Sequence, residues 1–339
     1  MTAPTTKVYV VVLPGVLLLD LAGIAEPLRL ANRFAQMQDM KAVPPFELHI
    51  VSAESSVTGS LPLLLANLEP LPASISAVNE DWVVIVGVAS SPCIPAKQQK
   101  SVQRATVRWL RAIVKPALNQ GRLRLWTVCS GALIAAEAGL LDDRDCTTHH
   151  ELTTNLRAAY PAARVHEDRI FIVDDRVATS AGVTAGIDLA LAAIATRCGA
   201  VVASEVARDM VVYWRRAGGD PQLSPLVAHR NHLHPAVHRA QQAILAQPNQ
   251  DWDVQRIAQA GCVSARHMRR LFAEHADTTP LAYVSGVRVA LARQLLASKR
   301  ISVESAAEEV GFASARQLRD AWKKVAADMP GALKSIART

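Results

Sequence analysis

Two sets of residues in this chain have the types and spacing to do chemistry. The first is Cys129-Ser130-Gly131, which closes the apolar run Trp126-Thr127-Val128 and opens a small-residue helical stretch. Strand, sharp turn and helix in that order make a nucleophile elbow, with Gly131 letting the chain turn while the thiol is held proud. A cysteine at a helix N-terminus is favoured as thiolate by the helix dipole. Thr147-Thr148-His149 offers an imidazole, and Asp20, just past the first apolar run, offers a carboxylate. Open α/β sheets keep their sites at such strand ends. Thr127 stands where the fullest elbow motif has glycine, which lessens the expected strain. Cys129, Ser130, Asp20 and His149 are therefore vestigial catalytic candidates, with structural, sensory and nucleophilic uses of the thiol all open.

The second set lies in the last hundred residues, where one helix-turn-helix pattern is written twice. The first copy runs from Asp253 through Ala258, Gly261-Cys262 and Ser264 to Phe272. The second runs from Ser302 through Ala307, Gly311 and Ser314 to Trp322. Ser264 and Ser314, Met268 and Leu318, and Phe272 and Trp322 are each 50 residues apart, whereas Asp253 and Ser302 are 49 apart. An indel confined to the turn is what a repeated fold unit produces. Asp253, Ser302, Ser264 and Ser314 sit at helix N-cap positions. Met268/Phe272 and Leu318/Trp322, four apart, form a buried face. The opposite face carries Arg266, His267, Arg269 and Arg270 in copy one, and Arg316, Gln317 and Arg319 in copy two. Such a face suits a DNA major groove, where Arg reads guanine and Gln reads adenine.

These sites need elements to position them. Apolar runs predict strands at 7–13, 46–52, 82–88 and 122–129, with helices near 22–37 and 101–119. Two short strands flank Asp174-Asp175, and helices follow at 181–195 and 200–216. Strands alternating with helices predict a mostly parallel sheet covered by helices, followed by an all-α region. Glycine and proline place a linker at 216–232, which gives domains at 1–215 and 233–339. A helical pattern of about sixteen residues, 283–298, joins the two copies; at roughly 24 Å it holds the recognition helices about one DNA turn apart.

Composition agrees with two soluble domains in 339 residues, half of them apolar and a fifth charged. The net charge of +7 is uneven. Residues 229–339 hold 16 Lys+Arg against 9 Asp+Glu, and residues 1–228 hold 21 of each. Five cysteines without a C-x-x-C pair point away from zinc or a disulfide framework and toward a reducing cytoplasm. No metal, cofactor or membrane segment is expected. His229, His232, His234 and His238 read as a solvated linker, and Trp109, Trp126 and Trp214 as core or interface anchors.

Residues 235–334 resemble the AraC/XylS family of transcription regulators through Phe272-x7-Pro280-x2-Tyr283, Arg288-x4-Arg293-x-Leu295-Leu296 and Val310-Gly311-Phe312. The resemblance implies seven helices, with base reading by Arg266, Arg269 and Arg270 in the first unit and Arg316 and Arg319 in the second. The chain departs from the pattern at Asp320, Ala327, Met329 and Leu333, keeping Pro330, which predicts weaker or shape-based binding by the second unit. The front half resembles the ThiJ/PfpI-like branch of the class I glutamine amidotransferase-like superfamily. The matching pieces are Leu19-Asp20-Leu21-Ala22-Gly23, Cys129-Ser130-Gly131, Glu137 to Asp142, Thr147-Thr148-His149 and Ser180 to Leu191. Together the halves look like a GlxA-type regulator, a flavodoxin-like sensor followed by a DNA reader. That implies a cytoplasmic homodimer on promoter DNA, with RNA polymerase as a further partner. Its small-molecule effector, a nitrogenous metabolite such as an amino acid or quaternary amine, is expected at Asp20, Cys129, Ser130, His149 and Asp188. Peptidase relatives carry His directly after the elbow Cys, and Ser130 stands there now. Isonitrile hydratase relatives keep a hydroxyl neighbour and an acid, so hydratase-like chemistry at Cys129 is the rival expectation.

Overall fold

The computed structural model describes residues 5–38, 43–75, 80–89, 94–212, 218, 222, 229–230, 232, 234–298 and 301–325. The chain divides into two compact units, Met1–Gln222 and Leu223–Thr339.

The first unit opens with β1 (Thr6–Val11), α1 (Leu18–Gln38) and β2 (Phe46–Ser52). Three two-residue strands follow: β3 (Val57–Thr58), β4 (Leu64–Leu65) and β5 (Glu69–Pro70). Then come β6 (Asp81–Ile85), α2 (Ala96–Trp109), one π-helical turn (Leu110–Val114) and α3 (Lys115–Asn119). The elbow joins β7 (Leu123–Val128) to α4 (Gly131–Glu137). Beyond it lie β8 (Asp145–Cys146), α5 (Thr153–Ala159), β9 (Arg164–Val165), β10 (Phe171–Asp174) and β11 (Val177–Ser180). α6 (Thr184–Cys198) and α7 (Ala200–Asp209) close the unit.

Seven of these strands make one sheet in the order β10-β11-β7-β6-β1-β2-β5. Every pair is parallel except the β10–β11 hairpin. The chain builds outward from β1 to β2 and β5, then returns to place β6 on the other side of β1. Open sheets carry their crevice at such a reversal, beyond the strands' carboxyl ends. β1 shows why both faces are covered, because its valines Val8, Val10 and Val11 are fully buried and fall on both sides of the sheet. Val11 points into a core with α2, α3 and α4 residues, including Val107, Leu118 and Ile134. Val8 and Val10 point into the other core, with Ile24, Leu189 and Val206 from α1, α6 and α7.

Trp109 and Trp126 are core residues: Trp109 Nε1 donates to the Pro72 carbonyl at 2.7 Å, and Trp126 packs on Trp82. Trp214 lies outside the described residues. One boundary differs from the sequence reading in a way that matters. α1 begins at Leu18, not at 22, so Asp20 sits in a helix's first turn and not on a loop. No described helix is long and apolar enough to cross a membrane.

Six helices are described in the second unit: Pro235–Ala246, Val254–Ala260, Ala265–Ala276, Pro280–Ser298, Val303–Val310 and Ala315–Val325. The helix Pro280–Ser298 serves two cores. Tyr283, Val284 and Val287 pack with Ile257, Met268 and Phe272, while Val289, Ala292 and Leu296 pack with Val303, Leu318 and Trp322. Packing on two sides explains why this helix lacks a single apolar stripe. It also starts earlier than the sequence pattern implied, with Thr279 Oγ1 accepting the Ala282 N–H at 3.2 Å.

The stretch expected to be a solvated linker is partly folded. Gln222 bonds back to the first unit through Asp168, Thr147 and Thr148. His229 belongs to the second: Nδ1 meets the Ala276 carbonyl at 2.7 Å, and its ring lies edge-on to Tyr283. His234 stacks on His275 and His238 Nε2 lies 3.2 Å from Arg230, so these histidines are structural contacts of the helical unit.

Candidate functional site: a closed elbow and an open arginine face

Cys129 occupies the turn after β7 with φ +54°, in the left-handed region that side chains other than glycine rarely take. The strain therefore falls on the cysteine itself. Gly131 has a different reason to be glycine: a Cβ there would stand 2.2 Å from the Ile85 carbonyl, so its absence lets α4 pack against β6. The backbone around the thiol is pinned. Its N–H donates to the Ser180 carbonyl at 3.0 Å, and its carbonyl accepts the Thr148 hydroxyl at 2.7 Å. Ser130 is not a free hydroxyl either. Its Oγ donates to the Val88 carbonyl at 2.9 Å and accepts the Val88 N–H at 2.8 Å, tying the end of β7 to the loop after β6.

The structure brings Asp20 to this thiol, from the other side of the strand order reversal. Asp20 is fully buried, and its Oδ1 accepts the Val183 N–H at 2.6 Å. Its Oδ2 makes no well-aligned hydrogen bond, although the Cys129 thiol and the Gly87 backbone lie against it. Two glycines make this approach possible. A Cβ on Gly87 would meet Asp20 Oδ2 at 2.3 Å and Cys129 Cβ at 2.8 Å; one on Gly182 would meet Cys129 Cβ at 2.3 Å. Val183 takes φ +51°, an outlier for a β-branched residue, and this turn is what aims its N–H at Asp20.

The electrostatics oppose the thiolate that a helix N-terminus was expected to favour. Burial, reinforced by the Asp20 carboxyl, pushes the Cys129 thiol up to about 12. Burial likewise raises Asp20 above the ordinary carboxylate range, with the Val183 N–H partly opposing it. A dipole at the end of a seven-residue helix is a smaller effect than desolvating a charge beside a carboxyl. His149 does not complete a catalytic pair. Its Nδ1 lies 3.8 Å from Glu151, its ring packs on His150, and no hydrogen bond joins it to Cys129 or Asp20. Burial, then His150, holds its imidazole below the usual value, toward the neutral form. Asp188 is buried on α6, one residue after Ile187, which packs on Gly23. The elbow thus joins a neutral thiol, a buried carboxyl raised above its ordinary range and clamped backbone. It is equipped for recognition by hydrogen bonds more than for nucleophilic attack. Gly87, Gly182, Val183 and Gln222 were not singled out from sequence; their signal is close approach by residues distant in the chain.

The second unit is the opposite kind of surface. The Asp253, Ser264, Ser302 and Ser314 side chains each accept the backbone N–H three residues on, at 2.7, 3.3, 3.0 and 3.2 Å. The turn glycine position is left-handed in both copies, with φ +57° at Cys262 and +93° at Gly311. In the first recognition helix Arg266 and Arg269 are exposed and no described residue pairs with them, while Arg270 lies 3.4 Å from His267. In the second, Arg316 is likewise exposed, but Arg319 reaches Glu304 at 3.4 Å and Gln317 Oε1 accepts the Ala313 N–H. Asp320 is exposed on the same helix; Ala327, Met329, Pro330 and Leu333 lie outside the described residues.

Comparison with known proteins agrees with both halves. Residues 257–335 match a helix-turn-helix domain model, and residues 73–196 match the DJ-1/PfpI family. The chain is 29% identical to the HTH-type transcriptional regulator GlxA of Rhizobium meliloti, covering 94% of this chain and 92% of that one. It is 29% identical to the HTH-type transcriptional regulator GbdR of Pseudomonas aeruginosa, covering 88% and 75%. An AraC family transcriptional regulator structure from Pseudomonas putida aligns over 61% of this chain and all of that one, at 20% identity and a TM-score of 0.47. With both domain models matched in order, the chain belongs to the AraC-type helix-turn-helix transcription regulators that carry an N-terminal DJ-1/PfpI domain.

Proposed function

We propose that this protein reads promoter DNA mainly with its first helix-turn-helix unit, as a cytoplasmic homodimer whose α/β domain, residues 1–215, binds a small effector. The observation that carries the reading is the exposed face of Arg266, Arg269 and Arg270 on a helix whose cap and core are fully formed. DNA contacts extend to Ser264, His267, Ser314, Arg316, Gln317 and Arg319, with RNA polymerase as a partner at the promoter. The effector site lies at Asp20, Cys129, Ser130, His149 and Asp188. A buried carboxyl whose Oδ2 has no well-aligned hydrogen-bond partner suits a ligand that donates hydrogen bonds, as an amine or other nitrogenous metabolite does. Hydratase chemistry at Cys129 is the weaker use, since a thiol near 12 and a Ser130 hydroxyl committed to Val88 supply neither nucleophile nor proton relay.

A route out of the site runs through two hydrogen bonds. Thr148 donates to the Cys129 carbonyl, and the Thr148 carbonyl accepts Gln222 Nε2 at 2.8 Å. Gln222 is the last residue of the first compact unit, so a ligand that moves the elbow biases the segment leading to the reader. The test is retardation of the chain's own promoter region, with affinity falling steeply as salt rises. Metabolites are screened by thermal shift on the full chain. The ligand found must lose its shift in Asp20→Asn. In Gln222→Ala it must keep the shift but lose its effect on retardation. Retardation without sequence preference overturns the regulator reading. Turnover of an isonitrile or amide that vanishes in Cys129→Ala establishes the enzyme reading in its place.

A further inference from the structure

The α/β unit balances its charges overall, yet residues 82–136 contain eight Lys+Arg and no Asp or Glu. Five of the eight, Lys97, Lys100, Arg104, Arg108 and Arg111, are spaced 3, 4, 4 and 3 apart along α2 and the π-helical turn. That spacing puts all five on one helix face. All five are exposed, and together they line a groove of about 780 Å³. The opposite face, through Val102, Thr106 and Trp109, is buried in the core, so the stripe cannot turn inward.

Among the described residues no ion pair neutralises this stripe, although the Glu54 carboxylate meets Gln98 on the same helix. Among the described residues the side chains of Lys97, Lys100, Arg104 and Arg108 take part in no ion pair or hydrogen bond, and the Arg111 side chain donates only to the Glu137 backbone carbonyl. Glu137 supplies the one carboxylate of the groove, and its Oε2 already accepts Gln103 Nε2 at 2.7 Å. Like charges three and four apart on a helix repel. A fold that keeps five of them aligned, with no acid interleaved, presents a site for a polyanion.

We infer that this face binds the phosphate backbone of duplex DNA, a second and sequence-independent contact outside the helix-turn-helix units. The stripe from Lys97 to Arg111 extends about 21 Å along the helix axis, so it matches a linear array of phosphates better than a single small anion. Its lining offers Ala96 and Val107 as the only apolar side chains, without the aromatic anchor on which protein interfaces rest. Charge without apolar anchors is the composition of a phosphate-positioning surface. The inference rests on the protein being a DNA binder; it does not need any particular operator.

The experiment compares full-length proteins by anisotropy on a 40-base-pair random-sequence duplex and on the promoter region across a salt series. The variant Lys97→Gln, Lys100→Gln, Arg104→Gln, Arg108→Gln is expected to reduce the magnitude of the log–log salt slope by about 3 to 4, since each phosphate contact contributes about 0.9. It keeps its preference for the promoter. A charge-conserving variant, with each Lys changed to Arg and each Arg to Lys, keeps the slope, and melting midpoints show that both fold. An unchanged slope in the glutamine variant overturns the inference. So does a glutamine variant that loses binding to polyglutamate while its DNA slope stays the same, which would make an acidic polypeptide the partner. The reader is scored separately: an Arg266→Ala, Arg269→Ala, Arg270→Ala variant must lose promoter preference while retaining the stripe's share of the slope. If that variant keeps its preference, the proposed reader is wrong and the stripe's result still stands.

Discussion

The two helix-turn-helix units share a skeleton and differ in what they leave free. Ser264 and Ser314 cap their helices through the same bond, and Phe272 and Trp322 are both fully buried in their cores. The outer faces have diverged. In the first unit Arg266 and Arg269 face solvent with no described partner; in the second, Arg319 is engaged by Glu304, Gln317 caps its own turn, and Asp320 adds a negative charge. Caps and cores are constrained by folding, whatever the surface does. Faces are constrained only by what they touch, so the two copies can differ there without cost to the fold.

The largest expected effect tests that division directly. Arg269→Ala with Arg270→Ala is expected to lower promoter affinity about 100-fold or more, at ~1–3 kcal/mol for each lost base contact. The matching pair Arg316→Ala and Arg319→Ala is expected to lower it about tenfold or less. Equal losses in competition retardation would erase the asymmetry. A smaller effect falls on the shared skeleton. Ser264→Ala and Ser314→Ala should each destabilise by about 1 kcal/mol in urea unfolding, a typical value for a lost N-cap. A cap that matters in only one copy would show that the skeletons have diverged as well. The smallest effect sharpens the difference. Glu304→Gln releases Arg319 from an exposed pair that contributes about 0–1 kcal/mol to stability. Promoter affinity should rise about twofold to threefold with the unfolding midpoint unmoved; no gain would mean that Arg319 does not meet phosphate.

Much of this molecule was legible in its sequence because the relevant signals are local. The apolar runs of β1, β2, β6 and β7 and the cap-and-core pattern of the second unit depend on residues a few positions apart. The elbow's position was equally plain from Trp126 to Gly131. Its chemistry was not, because the Cys129 thiol is set by Asp20, Gly87 and Gly182, which the sheet brings together from residues 42 or more positions away. The sequence pattern starts the first helix near 22 and leaves Asp20 ahead of it, because nothing local marks Leu18 as a helix start. The five-cation stripe was hidden by averaging, since acids elsewhere in the unit bring its sum to zero. The histidines from His229 to His238 carried a linker's composition, and only their partners Ala276, Tyr283 and His275 reveal that they are folded.

The burial of Cys129 also bears on how this protein meets oxidants and electrophiles. Those reagents attack the thiolate, and the conjugate base of a thiol near 12 amounts to about one molecule in ten thousand at pH 8. Only 6% of the residue is exposed, so access compounds scarcity. Peroxide or an alkylating agent passing through the cell has almost nothing to react with at the elbow. The elbow is therefore expected to resist oxidation, with its most conspicuous cysteine acting as a packing atom beside a carboxyl, whereas Cys262 in the turn of the first helix-turn-helix unit is exposed.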